Sequence, residues 1–221
     1  MLKIDIVSDV VCPWCAVGVS SLLQALEELG DLPVALHFQP FELNPTLPPG
    51  GADLVEYLGR KYGVSAGQVA QMHEQIRQRG EAVGFTFDIA KRTRTYNTFD
   101  AHRLLHWAGE QDQVSGAGHP RDHQLRLKQA LLRAHFTDGQ DPGDAEVLVR
   151  LATEAGLDAE AARTVLARGD HADAVREREA HYRAQGIQSV PSFIVNDQHL
   201  IEGGQPPQVF VQALRQIAAQ A

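Results

Sequence analysis

The chain has 221 residues, of which 43% are hydrophobic and 22% charged, values typical of a globular protein. Its 20 Lys and Arg against 28 Asp and Glu give a formal net charge of −8, which disfavours non-specific binding to nucleic acid or to an anionic membrane. The composition excludes collagen, coiled coil and wholesale disorder. No stretch approaches the roughly 20 consecutive apolar residues that a membrane-spanning helix needs.

The first 41 residues predict a strand, a helix and a second strand, in that order. Apolar residues indicate a buried strand over residues 3–7, and from Val17 to Leu29 they recur at helical spacing. Gly30 is expected to end this helix, and alternation over residues 34–41 predicts the second strand.

The C-terminal residues predict a matching half. Residues 192–195 form a predicted strand, and a turn at Asn196 leads into its hairpin partner over residues 199–202. Pro206 and Pro207 then open a closing helix. We therefore expect an α/β fold in which residues 1–41 and 187–221 form one small βαβ–ββα domain.

Residues 42–186 are nearly all helical in pattern and predict an inserted α-helical domain. Polar residues with the chemistry of helix caps recur along this segment. The expected helix starts are Asp53, Ser65, Asn97 or Thr98, Asp144, Asp158 and Asp170, and a further helix is predicted over residues 123–136.

The two cysteines of the chain lie in the sequence Cys12-Pro13-Trp14-Cys15, directly before the first helix. A helix N-terminus stabilises a thiolate through free N–H groups and the helix dipole, and Pro13 suits the first helical turn. We expect Cys12 to be the nucleophile and Cys15, one turn further, to resolve the mixed disulfide.

Two other interpretations of the cysteine pair stay open. A zinc site would need two further ligands from the histidines, and no second Cys-x-x-Cys is present. Two inert buried thiols are the other alternative, because free cysteine often acts as a small core residue.

Pro191 directly precedes a predicted core strand, a position where proline shapes a tight turn or begins the strand. A cis Val190-Pro191 bond would let the backbone N–H and C=O of Val190 hydrogen-bond an extended peptide. An ordinary trans proline is the alternative.

These motifs resemble the DsbA family of thioredoxin-fold oxidoreductases, in particular its cytoplasmic FrnE-like branch. The resemblance covers the whole chain and is carried by Asp9 to Gly18, Phe41-Glu42-Leu43-Asn44-Pro45, Asn97-Thr98 with Ala101-His102-Arg103-Leu104, Ala134-His135-Phe136 before Gly139, and Val190-Pro191-Ser192-Phe193.

The resemblance implies a thioredoxin-like βαβ–ββα fold with a large α-helical domain inserted between its halves. It also implies Cys12 and Cys15 as the redox pair and Pro191 as a cis-proline. One departure is Ser189, which stands where relatives usually have glycine. The same superfamily includes 2-hydroxychromene-2-carboxylate isomerases and kappa-class glutathione transferases, which place serine at the Cys12 position and lack the second cysteine.

By the same resemblance, Pro13, Trp14, Val190, Pro191, Asn97 and His102 are the expected substrate-binding residues. The alternatives to substrate binding are that Asn97 caps a helix and that His102 is a core histidine whose hydrogen bonds are made within the protein. Trp14 is expected to be exposed or half-exposed.

A basic stretch and two pairs of histidines are not predicted to form a binding site. The basic stretch Lys91, Arg92 and Arg94 is expected to be a solvated loop, with contact to an anionic ligand as the alternative. The pairs His102/His106 and His119/His123 each share a helix face but lack a third ligand, so no metal site is predicted.

The sequence thus predicts a thiol–disulfide oxidoreductase that works through a Cys12–Cys15 disulfide without a tightly bound cofactor. Expected partners are protein thiols and disulfides or glutathione, with no nucleic acid and no membrane. The N-terminus lacks the long apolar stretch of a signal peptide, so we expect a cytoplasmic location. Alternatives are a glutathione-dependent isomerase or transferase of small aromatic compounds, and a non-catalytic peptide-binding or chaperone module.

Overall fold

The computed structural model describes residues 1–115 and 123–220, including all of their side chains except those of residues 114 and 115. The first half of the chain forms β1 (Leu2–Ser8), α1 (Pro13–Leu29), β2 (Val34–Pro40), β3 (Ala52–Asp53), α2 (Leu54–Tyr62), α3 (Ala66–Glu81), β4 (Arg94–Thr95) and α4 (Phe99–Ser115). The second half forms α5 (His123–Phe136), α6 (Ala145–Glu154), α7 (Ala159–Arg168), α8 (Ala172–Ala184), β5 (Ser192–Val195), β6 (His199–Glu202) and α9 (Pro207–Ala218).

Four strands from the two ends of the chain form one mixed sheet in the order β2-β1-β5-β6. β1 pairs parallel with β2, placing Ile4 opposite Leu36, and antiparallel with β5, placing Ile6 opposite Phe193. Ile4, Ile6 and Phe193 are fully buried, as expected for central strands covered on both faces. The predicted α/β fold is confirmed.

Most of the predicted helix caps are confirmed by hydrogen bonds. The carboxylates of Asp53, Asp144 and Asp158 each accept a backbone N–H from the first turn of α2, α6 and α7. Ser65 forms a capping box with Gln68 at the start of α3. These bonds satisfy N–H groups that a helix N-terminus leaves without an intrahelical partner.

One helix start expected in residues 42–186 is wrong. Asp170 does not cap α8: His171 occupies that position, because Asp170 N–H closes the preceding turn on Val165 O at 3.2 Å. The segment also contains the two-stranded sheet β3-β4, whose register pairs Ala52 with Thr95. Strands of two residues are too short to show a hydrophobic period.

The helices of residues 42–186 pack against the four-stranded sheet as well as against one another. Ile76 and Phe136 belong to the same buried cluster as Ile4 and Phe193. A second cluster lies among α4 to α7, and α5 contributes residues to both. The division into domains at residues 41 and 187 therefore stays a prediction. Among the described helices, none is long and apolar enough to cross a membrane.

Candidate active site

The cysteine pair lies at the start of α1, just after the loop that follows β1. Cys12 is the extended N-cap residue of α1 and Pro13 is its first helical residue, where the missing N–H costs no hydrogen bond. Both cysteines are reduced and buried, and Cys12 retains only 4% exposure. Both thiols are thus largely shielded from solvent at the N-terminus of α1.

The surroundings of the two sulfurs shift their pKa values in opposite directions. The Cys15 thiol hydrogen-bonds the Cys12 sulfur and lowers the pKa of Cys12, and the backbone N–H groups of Cys15 and Trp14 act in the same direction. Burial, followed by the interaction with Cys12, raises the pKa of Cys15 well above its ordinary value. The environment therefore favours the thiolate form of Cys12, while Cys15 stays a thiol that donates a hydrogen bond to it.

The loop before β5 lies opposite the Cys12 sulfur. The Val190-Pro191 peptide bond is cis, as predicted, and the Val190 carbonyl oxygen lies 3.6 Å from Cys12 Sγ. Gly18 permits this approach, because a Cβ at that position would lie 2.9 Å from Pro191 Cγ and 3.0 Å from Phe193 Cζ. A small residue on α1 thus sets the distance between the helix and the cis-proline loop.

Trp14 and Ser189 border the site at its surface. The Trp14 side chain is 39% exposed, as predicted, and its ring lies beside Gly204, where an added Cβ would be 3.3 Å from Trp14 Cε3. Ser189 is exposed, its carbonyl accepts a hydrogen bond from Ser192 Oγ at 2.9 Å, and its φ is not positive. The local backbone therefore has no conformational need for glycine at Ser189.

Beneath the cysteines lies a buried group of charged residues. Asp9 Oδ2 accepts the Leu43 N–H at 2.7 Å, and Asp9 Oδ1 lies 3.4 Å from His102 Nε2. Burial raises the pKa of Asp9, but His102 and the Leu43 N–H outweigh it and hold that pKa below its ordinary value. His102 is thus a buried partner of Asp9, and no described contact joins it to the protein surface.

Lys128 of α5 is the most deeply buried cation of this group. Its side chain is fully buried, and its ammonium has no hydrogen-bond partner among the described residues. Burial lowers the pKa of Lys128, while Cys15, Asp9 and Cys12 act electrostatically to raise it. The ammonium also lies 5.7 Å from the centroid of the Phe38 ring. Burying a cation without a hydrogen-bond acceptor costs stability.

Arg92 brings a second buried cation to the same place. Burial lowers the pKa of Arg92 to about 10, and its charge interacts with Cys12. Its guanidinium stacks on Phe136 with 4.9 Å to the ring centroid. The expectation of a solvated loop is therefore wrong for Arg92, because this side chain turns inward onto an aromatic ring.

We call Asp9, His73, Arg92, His102, Lys128 and His135 the buried polar cluster. Within the described part of the chain, seven buried side-chain polar atoms lack a hydrogen-bond partner, and all but Ser21 Oγ belong to this cluster. Its members are joined to one another or to the cysteines by electrostatic interactions. Buried polar atoms without a hydrogen bond cost stability, and the buried polar cluster concentrates that cost in one part of the structure.

Asn97 lies away from the cysteines, and no described contact joins it to them. Its Oδ1 accepts the Phe99 N–H at the start of α4, and its Nδ2 donates to Glu42 Oε1 and to the Pro45 carbonyl. It also lines an open cavity of about 510 Å³ with Leu47, Pro48, Pro49, Gly50, Tyr96, Asp100, Asp141, Gly143, Asp144 and Ala145. The structure gives Asn97 a capping role, and a substrate-binding role stays a prediction.

Lys128 and Arg92 were not predicted as site residues. The signal for Lys128 was its position between Leu127 and Leu131 on the apolar face of a predicted helix, where an unpaired charge is unexpected. Arg92 carries no comparable signal, because a basic residue in a polar loop is ordinarily solvated.

Residues 3–215 match the family described as "DSBA-like thioredoxin domain", and the chain belongs to that family. It is 28% identical to the uncharacterized protein YwbO of Bacillus subtilis over 96% of both chains. A probable DsbA oxidoreductase, SCO1869 from Streptomyces coelicolor, is 33% identical with a TM-score of 0.84, covering 100% of this chain and 92% of the other.

A more distant structure shares the fold alone. The cytosolic disulfide reductase DsbM from Pseudomonas aeruginosa, solved with GSH, is 19% identical with a TM-score of 0.64 over 98% of this chain and 99% of the other. The family and its oxidoreductase members support an oxidoreductase acting on thiols and disulfides.

Proposed function

We propose that the protein is a thiol–disulfide oxidoreductase in which Cys12 exchanges with a substrate disulfide and Cys15 completes the exchange. The observation that carries this proposal is the position of the Cys12 sulfur. It receives hydrogen bonds from Cys15 and from the first N–H groups of α1 while lying beside the Val190 carbonyl. A thiolate held in this way is a nucleophile at neutral pH.

In the reducing direction, the Cys12 thiolate attacks one sulfur of the substrate disulfide. The Cys12–substrate disulfide forms, and the other substrate sulfur leaves as a thiolate that takes up a proton from water. Cys15 then gives up its proton and attacks the Cys12 sulfur, which forms the Cys12–Cys15 disulfide and releases the second substrate thiol. The substrate gains two electrons and the enzyme loses two; the oxidising direction is the reverse.

The buried polar cluster contributes the electrostatics of these steps. Ionising Cys15 is unfavourable because of burial, and the Lys128 ammonium offsets part of that cost. Lys128 and Arg92 also interact favourably with a Cys12 thiolate, while Asp9 opposes it. The two cations act as positioning residues that stabilise the reduced, ionised pair.

Substrate is held at the loop before β5. The Val190 backbone beside the sulfur offers hydrogen-bonding groups to an extended peptide, and the half-exposed Trp14 offers an apolar surface at the rim. Substrates of this kind are protein thiols and disulfides, or glutathione, in the cytoplasm.

The proposal is tested by comparing Cys12→Ser and Cys15→Ala in a disulfide-exchange assay with a dithiol and a disulfide-bonded protein. Cys12→Ser should abolish turnover, and Cys15→Ala should trap a mixed disulfide on Cys12 that mass spectrometry detects. Full activity of Cys12→Ser would overturn the proposal. Unchanged binding of an unfolded client after loss of both cysteines, with no turnover by the unmodified protein, would favour a peptide-binding module instead.

A glutathione-dependent isomerase or transferase is the second candidate. Its support is that the structurally similar DsbM was solved with GSH. This candidate requires saturable glutathione binding and a turnover of small aromatic compounds that survives Cys15→Ala. Loss of all glutathione-dependent activity in Cys15→Ala would exclude it.

A further inference from the structure

Three side chains outside the cysteine site converge at the junction of α4 and α8. His106 and Glu110 lie one turn apart on α4, and His171 precedes α8. His106 Nε2 lies 3.3 Å from Glu110 Oε1, and His171 Nδ1 lies 3.7 Å from Glu110 Oε2. The two imidazole centroids are 5.5 Å apart.

We propose that His106, Glu110 and His171 form a binding site for one Zn²⁺ ion that joins α4 to the start of α8. Two imidazoles and one carboxylate are a ligand set that zinc uses in proteins, with the fourth position left to water. Nitrogen donors disfavour Ca²⁺ and Mg²⁺, which prefer oxygen ligands.

The distances fit this ion. Zinc–nitrogen and zinc–oxygen bonds of about 2.1 Å in a tetrahedron place neighbouring donor atoms about 3.4 Å apart. The three candidate donor atoms all lie within 4.8 Å of one another. Glu110 places one carboxylate oxygen 3.3 Å from His106 Nε2 and its other oxygen 3.7 Å from His171 Nδ1, so a rotation of the carboxylate brings one oxygen towards both imidazoles. Only a small movement is needed, and the Glu110 side chain, 48% exposed, is free to make it.

The backbone around His171 is fixed independently of the three ligands. Arg103, also on α4 and nearly fully buried, donates to the Asp170 carbonyl at 2.8 Å and to the carbonyls of Val165 and Leu166. The turn that carries His171 is thereby held on the helix that carries His106 and Glu110. Ligands held in advance on rigid elements lose less entropy when they bind an ion.

The side chain of His171 makes no capping hydrogen bond at the start of α8, so its imidazole is not committed to the helix terminus. The described partners of the His171 imidazole are the Glu110 carboxylate and the ring of His106. One cation, Arg178 on α8, interacts with His106 and opposes a bound dication, but Arg178 is exposed and can turn away.

The test is a Zn²⁺ titration by calorimetry of the untagged full chain carrying Cys12→Ser and Cys15→Ser. The serines exclude thiolates as zinc ligands. We expect one equivalent of Zn²⁺ to bind, and Glu110→Gln, His106→Gln and His171→Asn each to weaken binding by about tenfold or more. Asn suits the left-handed backbone of His171, which preserves the turn.

The matched control is His199→Gln on β6, which should leave the affinity unchanged, and Arg178→Gln should tighten binding. Zn²⁺ should also raise the melting temperature of the parent but not of His171→Asn. The proposal is overturned if the parent shows no saturable one-equivalent binding, or if either histidine variant keeps the parental affinity. Far-UV circular dichroism checks that each variant is folded. If a histidine variant is unfolded, the zinc affinity of Glu110→Gln, a change at an exposed side chain, decides between the two results.

Discussion

At the scale of single residues, the Cys12 and Cys15 thiols have opposite pKa shifts with opposite consequences for stability. The pKa of Cys12 lies below its ordinary value, because Cys15 and backbone N–H groups hydrogen-bond its sulfur. Its contribution to stability is therefore present above the unfolded pKa of about 8.5 and is lost as pH falls through the lower folded pKa. Burial raises the pKa of Cys15, so its contribution is lost as pH rises above that same unfolded value.

Replacing Lys128 tests the electrostatic part of this account. Lys128→Met removes the buried ammonium and keeps an apolar chain of similar length, so the Cys12 thiolate loses a stabilising charge. We expect the pKa of Cys12 to rise and its alkylation by iodoacetamide at pH 6 to slow by about threefold or more, since half a pKa unit is a factor of about three. The exposed Lys91→Met serves as control, and identical pH–rate profiles for Lys128→Met and the unmodified protein would contradict the assigned role.

At the scale of elements, the site depends on how closely α1 approaches β5. The helix brings Cys12 and Cys15 and the strand brings Pro191, and Gly18 lies where the two meet. A methyl group there meets a proline ring and a buried phenyl ring, neither of which yields easily. The distance between the sulfur and the cis-proline loop is thus set by packing within the core.

Gly18→Ala should therefore destabilise the protein, even though alanine favours a helix. Overpacking costs about 1–3 kcal/mol and the gain in helix propensity is at most about 1 kcal/mol, so we expect a net loss of about 1–2 kcal/mol in urea unfolding. Gly67→Ala on α3 is the matched control, because its Cβ would meet nothing closer than Ser65 Oγ at 4.0 Å. Equal stability of the two variants would show that the contact at Gly18 does not constrain the site.

At the scale of the whole molecule, buried ionic contacts hold the helices against the sheet. Glu42, just after β2, donates its N–H to Glu179 Oε1 of α8 at 2.8 Å. Arg176 binds both carboxylates, with 2.7 Å to Glu179 Oε2, and its guanidinium lies 3.9 Å from the Phe99 ring centroid. The two carboxylates are almost inaccessible while Arg176 is half-exposed.

Arg176→Met should cost about 1–3 kcal/mol, because two adjacent buried carboxylates lose their shared cation. This range is below that of a fully buried pair, since solvent screens the exposed guanidinium. Thermal unfolding at pH 7 should show a melting temperature lower by several degrees. The control Arg150→Met removes an exposed ion pair with Glu154 and should change the melting temperature by about a degree at most. An equally small change in Arg176→Met would refute the importance of the buried contact.

Much of this architecture follows from local sequence. The bounds of α5, β5 and β6 and the caps at Asp53, Asp144 and Asp158 were predictable, because hydrophobic period and cap chemistry act within a few residues. Cys12, Cys15 and the cis bond at Pro191 followed from one motif and one resemblance. The electrostatic role of Lys128 does not follow from local sequence, because Asp9 and Cys15, with which it interacts, are distant along the chain. His171 is likewise distant from His106 and Glu110, and the sequence pattern paired His106 with His102 instead.

The most direct test of the central claim is a redox titration of the purified protein in glutathione buffers, read by thiol alkylation and mass spectrometry. The account predicts one reversible two-electron transition between two free thiols and a Cys12–Cys15 disulfide, with a midpoint between about −270 and −120 mV. Cys15→Ala should abolish that transition. Thiols that stay reduced across the whole range, or a stable glutathione adduct on Cys12 without an internal disulfide, would contradict the account.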